Sequence, residues 1–280
     1  MLESIKQLYS APFNKIYPFF AIYRFTLWKF IRIFRVRNYS YSLWENKKII
    51  LNYNNHQSSW IMYNYWVDWE EFNLIKDIIQ SDDIVFEIGA NMGFYTIWMS
   101  KFISNSGRIH SFEPDEKSYS RLIENIRVNH IQGYVISNKV AIADEVKLVK
   151  FTKGMDGENH ILNKTGPDYE ILPCTTIDQY VVDHTISKIK YLKIDIEGFE
   201  LHALLGANKT LKSGKIDILQ LEINSQIQNS GSTINGLLTY IEEVGYRLCS
   251  YDPEYKKLFP INYSTTRENY FMVKNQLIEH

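Results

Sequence analysis

Two acidic side chains and two glycines form the first pattern in the sequence that could do chemistry. Glu87 ends an apolar run, Gly89 and Gly93 follow it, and a new apolar and aromatic stretch begins directly afterwards. This order predicts a buried strand that turns sharply into a helix, where the glycines let a ligand approach the backbone and the helix start offers free N–H groups. Glu113 ends a second strand-like run twenty residues after Gly93, and an acidic side chain there suits the two hydroxyls of a ribose.

Two classes of nucleotide-binding enzyme use this layout, and the spacing of the glycines distinguishes them. Dinucleotide oxidoreductases usually show G-x-G-x-x-G, whereas this chain reads Gly-Ala-Asn-Met-Gly at residues 89–93. Glu87 is placed to face a cationic amino group, which S-adenosylmethionine has and NAD lacks. The pattern therefore favours S-adenosylmethionine. An NAD-dependent oxidoreductase and an ordinary strand-to-helix turn without a nucleotide are the alternatives.

The second motif is Tyr-Leu-Lys-Ile-Asp-Ile-Glu-Gly-Phe-Glu-Leu at residues 191–201. In a strand, Lys193, Asp195 and Glu197 would share one face, and buried charges are costly unless they are paired or face a ligand cleft. We interpret Asp195 as lying beside the methyl-donor site, where it orients an acceptor hydroxyl or acts as a base. An ion pair between Lys193 and an acid that fixes the strand end is one alternative. A metal site of Asp195, Glu197 and Glu222 is another, although no spacing rule singles out a metal.

Composition narrows the class of protein. The chain has 280 residues, of which 45% are apolar and 22% charged, and a net charge of −1. These values suit one large α/β domain with an appendage and argue against nucleic acid as a partner. Cys174 and Cys249 lie far apart without a C-x-x-C motif, which indicates reduced, structural cysteines of a cytoplasmic protein. We expect no signal peptide and no transmembrane helix, because no run of about 18 apolar residues is free of charges.

The N-terminal segment is strongly basic. Residues 4–44 contain seven Lys and Arg residues and no Asp or Glu. An apolar stripe recurs there at helical spacing, formed by Phe20, Tyr23, Leu27, Phe30, Ile31 and Phe34. Basic residues fall largely on the other side, namely Arg24, Lys29, Arg32 and Arg35. This predicts a basic amphipathic helix that docks on the rest of the chain, lies on an anionic membrane surface, or forms a homodimer contact through residues 13–37.

From residue 83 onward the sequence alternates between strand-like and helix-like segments. Strands are predicted at 83–89, 108–113, 134–142, 190–196, 216–223, 246–251 and 269–274. Helices are predicted at 94–104, 116–129, 200–211 and 233–244. Apolar strands between helices predict an α/β fold with a mostly parallel sheet covered on both faces. Residues 143–180 depart from this alternation, and we expect an insertion of short strands at the carboxyl edge of the sheet, where substrates bind.

The segment before the sheet is predicted to be a small β-hairpin followed by a helix. The hairpin strands are expected at 47–52 and 60–67, and the helix at 68–80, with Asp68 as its cap. The chain then divides into a basic helical extension at 1–44, this connecting segment at 45–80, and a nucleotide-binding domain at 81–280.

The two motifs in this order resemble the FkbM-type methyltransferases, which are class I S-adenosylmethionine-dependent enzymes. The resemblance covers roughly residues 70–275 and extends to Val-Ala-Ile-Ala-Asp at 140–144 and Thr-Thr-Ile-Asp at 175–178. It implies a Rossmann-like class I methyltransferase fold, with a seven-stranded sheet whose last strand is antiparallel. It also implies O-methylation of hydroxyls on sugars, glycans or related natural products. Family members commonly have Asp where this chain has Glu87, which keeps the charge.

The resemblance also implies a set of cofactor-binding residues. Those expected around the methionine part are Glu87, Gly89, Ala90, Asn91, Gly93 and Thr96. Those expected around the ribose and the adenine are Glu113, Pro114, Val140 and Ala141. Asp195 is expected to border the cofactor from the second motif.

Methyl transfer from a sulfonium requires an acceptor oxygen held in line behind the methyl group. A sugar hydroxyl is a poor nucleophile near neutral pH, so we expect a general base. Asp195, with Glu197 beside it, is the first candidate, and His160 in the inserted loop is the second. A catalytically silent S-adenosylmethionine-binding module that serves a partner complex is the alternative. We expect the protein in the cytoplasm or at the inner face of the membrane.

Overall fold

Helices and a β-hairpin form the N-terminal part of the computed structural model. The structure describes residues 11–66, 68–154, 159–162 and 168–274. The first elements are α1 (Pro12–Ile16), α2 (Pro18–Ile33), β1 (Tyr39–Ser42), β2 (Lys48–Leu51), α3 (His56–Asn64) and α4 (Trp69–Ile78). The predicted helix in the basic segment and the predicted helix at 68–80 are therefore present, with shorter bounds.

The predicted strand at 60–67 is wrong, because residues 56–64 form α3. The side chain of Asn55 caps this helix by accepting a hydrogen bond from the Ser58 N–H at 2.7 Å. The cap satisfies one of the N–H groups that a helix start leaves without a partner. The strand β2 pairs instead with β1, which precedes it in the chain. Val67, the last residue of the predicted strand, lies outside the described residues.

Helix α2 buries a different face from the predicted one. Its buried residues are Ala21, Arg24, Trp28 and Ile31. Three members of the predicted apolar stripe are exposed, namely Tyr23, Phe30 and Phe34. Arg24, expected with the basic residues on the other side of the helix, is fully buried, and its guanidinium has buried partners. It donates to the Met62 carbonyl at 3.3 Å and to the side chain of Asn14, which offsets the cost of burying the charge.

The remainder of the described chain alternates between strands and helices, as predicted. In chain order the elements are β3 (Ile84–Ile88), α5 (Phe94–Met99), β4 (Arg108–Phe112), α6 (Glu116–Val128), β5 (Val135–Asn138), β6 (Ala141–Ile142), β7 (Lys147–Thr152), β8 (Tyr169–Thr175), α7 (Ile177–Asp183), β9 (Ile189–Ile194), α8 (Glu200–Leu205), α9 (Asn208–Lys212), β10 (Ile216–Glu222), a 3-10 helix (Ser225–Ser230), α10 (Ile234–Glu243), β11 (Tyr246–Asp252), β12 (Lys257–Pro260) and β13 (Asn269–Lys274). The predicted helix at 200–211 is divided into α8 and α9, and α7 and β12 were not predicted.

The central sheet has eight strands in the order β12-β11-β13-β10-β9-β3-β4-β5. The strands β10, β9, β3, β4 and β5 are parallel, whereas β13 runs antiparallel between β10 and β11. This confirms the predicted Rossmann-like class I methyltransferase arrangement, with β13 as the antiparallel last strand. The edge strand β12, which pairs with β11, is an eighth strand beyond the seven that were predicted.

Both faces of the central sheet are buried. Val85 in β3 belongs to a core that includes Trp98, whereas the next residue, Phe86, belongs to a second core that includes Leu192. This alternation is typical of a strand that is covered on both sides. Because helices cover the two faces, the carboxyl ends of the parallel strands form the edge at which a ligand can bind.

The insertion after β5 forms a separate small sheet. Its strand order is β6-β8-β7, with β8 parallel to β6 and antiparallel to β7. The short strands expected within residues 143–180 are therefore confirmed. Parts of the polar loop between β7 and β8 lie outside the described residues.

Candidate active site

A cavity of about 280 Å³ lies at the carboxyl edge of the sheet, where β3, β4 and β9 end. Ten of the predicted site residues line it, namely Glu87, Gly89, Ala90, Asn91, Glu113, Pro114, Val140, Ala141, Asp195 and Glu197. The fold therefore brings both sequence motifs to the edge where open α/β sheets bind their ligands. Gly93, Thr96 and His160 are not among the described residues that line the cavity.

The glycine loop after β3 is in direct contact with the second motif. Gly89 has a φ of 82°, and a Cβ there would lie 1.8 Å from the carbonyl oxygen of Asp195. Only glycine tolerates both the backbone conformation and the close approach. The N–H groups of Gly89 and Ala90 donate to the Phe112 carbonyl at 3.0 and 2.9 Å, and the Asp195 N–H donates to the Ile88 carbonyl at 3.1 Å. Backbone contacts thus join the loop to the ends of β4 and β9.

Gly93 and Thr96 lie behind the cavity wall and support Glu87. Gly93 has a φ of 85° and precedes α5, and Thr96 in this helix is fully buried. The Thr96 hydroxyl donates to the Glu87 carboxylate. Burial raises the pKa of Glu87 to about 7, although the charge of Lys193 and the Thr96 hydrogen bond act in the other direction. A cationic group in the cavity beside Glu87 would favour the ionised carboxylate.

Glu113 is buried at the end of β4 and is held by backbone hydrogen bonds. Its Oε2 accepts from the Asn91 N–H at 2.7 Å, and its Oε1 accepts from the Asp115 N–H at 2.9 Å. Burial raises the pKa of Glu113 to about 8 despite these hydrogen bonds. The Oδ1 of Asn91 is buried and has no hydrogen-bond partner within the described part of the chain. Such an oxygen needs a hydrogen-bond donor, which the hydroxyls and the ammonium of S-adenosylmethionine can supply.

An ion pair at the end of β9 faces the cavity. Lys193 Nζ lies 2.7 Å from Asp195 Oδ2, and the Lys193 side chain is 5% exposed whereas that of Asp195 is 38% exposed. Burial alone would lower the pKa of Lys193, but the charges of Asp195 and Glu87 outweigh this effect and raise it. The ion pair that was one interpretation of this motif is therefore present, and its carboxylate also lines the cavity.

The N-terminal segment contributes part of the cavity wall, and none of the predicted site residues lies in it. Gln57 and Trp60 in α3 line the cavity, as does Asp68 before α4. The predicted cap at Asp68 is wrong, since its carboxylate makes no capping hydrogen bond in the described helix and accepts instead from the Tyr95 hydroxyl. Burial raises the pKa of Asp68 to about 6. The Oε1 of Gln57 is buried without a hydrogen-bond partner among the described residues.

Three further lining residues come from the end of β10 and the start of β13. They are Glu222, Glu268 and Asn269. Burial, together with the charges of Asp195 and Glu197, raises the pKa of Glu222 to about 10. Glu222 is therefore protonated at neutral pH and can donate a hydrogen bond. Its place at the end of an apolar strand was visible in the sequence, whereas Gln57 and Trp60 lay in segments that were predicted as loop and strand.

The structure does not bring His160 into the described lining of the cavity. The His160 N–H donates to Thr152 Oγ1 at 2.9 Å, while its neighbours Asn159 and Ile161 do line the cavity. Asn159 Nδ2 donates to Asp115 Oδ1 at 3.1 Å, which ties the insertion to the end of β4. Within the described ranges, no group of three or more His, Cys, Asp or Glu residues is arranged to hold a metal ion.

Two sequence comparisons bear on this site. The family model for the methyltransferase FkbM domain matches residues 87–248, a segment that contains both motifs. The hexuronic acid methyltransferase AglP of Haloferax volcanii is 22% identical over 148 residues, which are 53% of this chain and 59% of that protein. The chain thus spans less than two thirds of the length of this relative.

Two solved structures that match this chain in part are also methyltransferases by name. Methyltransferase FkbM from Methylobacillus flagellatus KT is 15% identical, with a TM-score of 0.45 over 69% of this chain and 43% of that chain. A putative methyltransferase from Streptococcus mutans, solved in complex with SAH, is 10% identical, with a TM-score of 0.43 over 73% of this chain and 95% of that chain.

The family model distinguishes between the two nucleotides that the glycine loop allowed. It begins at Glu87, includes the Lys193–Asp195 pair and covers more than half of the 280 residues. The side chains within this segment have the chemistry that S-adenosylmethionine requires, with acidic groups and an acceptor oxygen of Asn91 that lacks a partner among the described residues. The chain belongs to the FkbM methyltransferase family, and S-adenosylmethionine is its methyl donor.

Proposed function

We propose that this enzyme methylates a hydroxyl oxygen of a sugar, a glycan or a related natural product. The observation that carries the proposal is the position of Asp195. Its carboxylate is partly exposed to the cavity, and its own carbonyl oxygen touches the glycine loop. A base at this point is next to the loop that would hold the methyl donor. The name of the Haloferax volcanii relative, a hexuronic acid methyltransferase, supports a sugar as the acceptor.

The cavity residues divide between the methyl donor and the acceptor. Glu87 would face the ammonium of S-adenosylmethionine, Glu113 its ribose hydroxyls, and residues 140–142 its adenine. The bound cofactor supplies a methyl group that is activated by a positively charged sulfur. Six further lining residues form what we call the acceptor side, namely Gln57, Trp60, Asp68, Glu222, Glu268 and Asn269.

Three groups of the acceptor side, together with Asp195, have roles that their chemistry supports. The ring of Trp60 can stack on a sugar ring. The Oε1 of Gln57 has no hydrogen-bond partner among the described residues, so it can accept a hydrogen bond from a sugar hydroxyl. Protonated Glu222 would donate a hydrogen bond to the acceptor. Asp195, held by Lys193 at 2.7 Å, would take the proton of the hydroxyl that is methylated.

The charge of the cavity favours an acceptor without an acidic group. Of the described residues that line it, eight are acidic, of which burial keeps Glu222 protonated, and Lys193 alone is basic. Lys193 is already paired with Asp195, so a carboxylate on the acceptor would be buried without a cationic side chain to pair with, which is costly. We therefore expect a neutral sugar rather than a uronic acid, in contrast to the acid named for the Haloferax volcanii relative.

The test of the base is Asp195→Asn, assayed for methyl transfer and for S-adenosylmethionine binding. We expect turnover to fall by about 100-fold or more, while the affinity for the methyl donor changes little. Glu197→Gln removes the adjoining carboxylate and shows whether the loss is specific to Asp195. Full turnover of Asp195→Asn with normal donor affinity would show that the base is a different group.

The test of the acceptor class uses matched pairs of glycosides that differ only in a CH₂OH group or a carboxylate at the same carbon. We expect kcat/KM to be higher for the neutral member by about tenfold or more, because the acidic member leaves an uncompensated charge in the cavity. A preference for the uronic acid would contradict the argument from cavity charge. Transfer to neither class, with intact donor binding, would contradict a sugar acceptor.

A further inference from the structure

Helix α2 is apolar on two opposite faces, and only one of them packs on the rest of the described chain. The covered face contains Ala21, Arg24, Trp28 and Ile31. Trp28 is fully buried, and the helix packs on α3. One of the three expected roles, docking on the rest of the chain, is therefore present, but it accounts for one face only.

The opposite face of α2 is an exposed apolar stripe. It consists of Phe19, Ile22, Tyr23, Phe30, Ile33 and Phe34. At about 100° per residue, these side chains fall within a sector of about 120° around the helix axis. Phe19 is 85% exposed, Ile33 71% and Phe34 72%. Single exposed apolar residues are common, whereas six on one face of a helix mark an interaction surface.

Basic side chains lie near this exposed stripe. Lys29 borders one edge of it on α2 and Arg32 lies farther round on the same side, while Lys15 precedes it and Arg35 and Arg37 follow it. Among the described residues, no ion pair joins any of these five to an acidic side chain. Since residues 4–44 contain no Asp or Glu, the segment presents aromatic groups and uncompensated positive charge together.

We infer that the exposed stripe of α2 seats the enzyme on the surface of an anionic membrane. Aromatic and aliphatic side chains enter the boundary between head groups and acyl chains, and Lys and Arg at the edge of the helix meet anionic head groups. In the described part of the chain, no helix combines the length and the apolar character needed to cross a bilayer. Because one face of α2 packs on the protein and the opposite face is the exposed stripe, the helix would lie parallel to the membrane surface.

A second copy of the chain is a poorer partner for this stripe. A twofold contact through the same surface would place each basic segment against the basic segment of the other copy. Residues 4–44 offer no acidic side chain to pair with those charges, and like charges across an interface are unfavourable. An anionic lipid surface supplies the opposite charge along the whole helix.

The membrane surface would lie on the side of the cavity to which α3 contributes. Helix α2 packs on α3, and α3 supplies Gln57 and Trp60 to the acceptor side. This step rests on the proposed function. A glycan acceptor that is carried on a lipid would then approach the cavity from the side at which the enzyme is seated.

Vesicle flotation of the full chain tests the membrane contact. Vesicles of phosphatidylcholine alone are compared with vesicles that also contain phosphatidylglycerol. We expect binding to the second kind and weaker binding at high salt, because salt screens the basic residues. The combined variant Phe19→Ser, Phe30→Ser and Phe34→Ser should reduce binding at least about tenfold. Val182→Ser is the matched control, since Val182 is 72% exposed on α7, and it should bind like the wild type.

Two results would overturn the inference. One is a failure of the wild-type protein to bind phosphatidylglycerol vesicles, or a combined variant that binds them as strongly as the wild type does. The other is a wild-type dimer, seen by light scattering, that becomes a monomer in the combined variant, which would assign the stripe to a second copy. Thermal unfolding and S-adenosylmethionine titration show whether the variants are folded. None of these measurements needs an acceptor, so they are independent of the proposed function.

Discussion

Glu87 is buried beneath the cavity, and burial raises its pKa to about 7. Near neutral pH, a fraction of the enzyme therefore holds this carboxyl group protonated before the methyl donor binds. The ammonium of S-adenosylmethionine favours the ionised carboxylate, so binding lowers the pKa of Glu87 and releases a proton. We expect the affinity to rise with pH, by up to about tenfold per pH unit, and to level off above a pH of about 7.

Isothermal titration at several pH values, in buffers with different ionisation enthalpies, measures both the affinity and the number of protons released. Glu87→Gln is the control, because it cannot titrate, and it should bind more weakly with a smaller pH dependence. An unchanged pH dependence in Glu87→Gln would assign the released proton to another group, such as Glu113, whose pKa burial raises to about 8.

Glu222, unlike Glu87, stays protonated throughout the neutral range, since burial and the nearby carboxylates raise its pKa to about 10. At neutral pH it is a neutral hydrogen-bond donor. Glu222→Gln replaces it by another neutral donor of the same shape, so we expect kcat/KM to stay within about threefold of wild type. Glu222→Ala removes the donor and should lower kcat/KM by about tenfold or more. Equal losses in both variants would show that the ionised carboxylate is required.

The site residues that were predicted share a local signal in the sequence. Glu87, Glu113 and Asp195 each come at the end of an apolar strand, where the chain leaves the sheet. Gln57 lacks such a signal, because it reaches the cavity only through the packing of α3. The position of Asp68 directly before a helix is misleading, because an acidic residue there usually caps the helix. Tertiary contacts decide these cases, and they are not visible in a short stretch of sequence.

At the scale of elements, the glycine loop and the end of β9 depend on one close backbone approach. Gly89 and Gly231 both have positive φ, at 82° and 81°, but only Gly89 has a backbone atom where a Cβ would be placed. Alanine at either position incurs about 1–2 kcal/mol of backbone strain. We expect Gly89→Ala to destabilise by a further 1–3 kcal/mol or so and to abolish methyl-donor binding.

Urea unfolding and S-adenosylmethionine titration of the two glycine variants check this expectation. Gly231→Ala is the matched control, because nothing lies within 4 Å of its added Cβ. If the two variants lost the same stability and both bound the methyl donor, the close approach would have no energetic role.

The elements that were predicted correctly have strong periodicity, and those that were missed have weak or competing patterns. The strands β3 and β9 are rich in apolar residues, and β3, β4 and β9 each have an acidic residue at or directly after the carboxyl end. Helix α3 is rich in aromatic and apolar residues that also suit a strand, and the Asn55 cap together with packing on α2 decides its conformation. The edge strand β12 is short and largely exposed, so it has no apolar alternation to reveal it.

At the scale of the whole molecule, several buried carboxyl groups make stability depend on pH. Burial raises the pKa of Glu71 and Glu113 to about 8 and that of Glu87 and Glu200 to about 7, from an ordinary value of 4.5. Between these values the folded protein binds more protons than the unfolded chain, so the free energy of unfolding falls as pH rises. Stability is greatest below pH 4.5 as far as these groups are concerned, and it is lost as pH rises through 7 to 8.

Urea unfolding at pH values from about 5.5 to 8.5 measures this loss, for which theory sets a limit of about 1.4 kcal/mol per pH unit for each group. Saturating S-adenosylmethionine should reduce the slope, because the bound ammonium stabilises the ionised form of Glu87. A free energy of unfolding that stays constant or increases over this range would contradict the raised pKa values.

The contact between Gly89 and the carbonyl oxygen of Asp195 leaves room for a hydrogen atom only. The glycine loop, which would hold the methyl donor, is therefore in direct backbone contact with Asp195, the proposed base. A displacement of either one is transmitted to the other. Folding itself therefore sets the distance between the loop for the methyl donor and the backbone of the proposed base. We expect substitutions that shift the backbone of either motif to lower kcat through this contact, even where the substituted side chain touches no ligand.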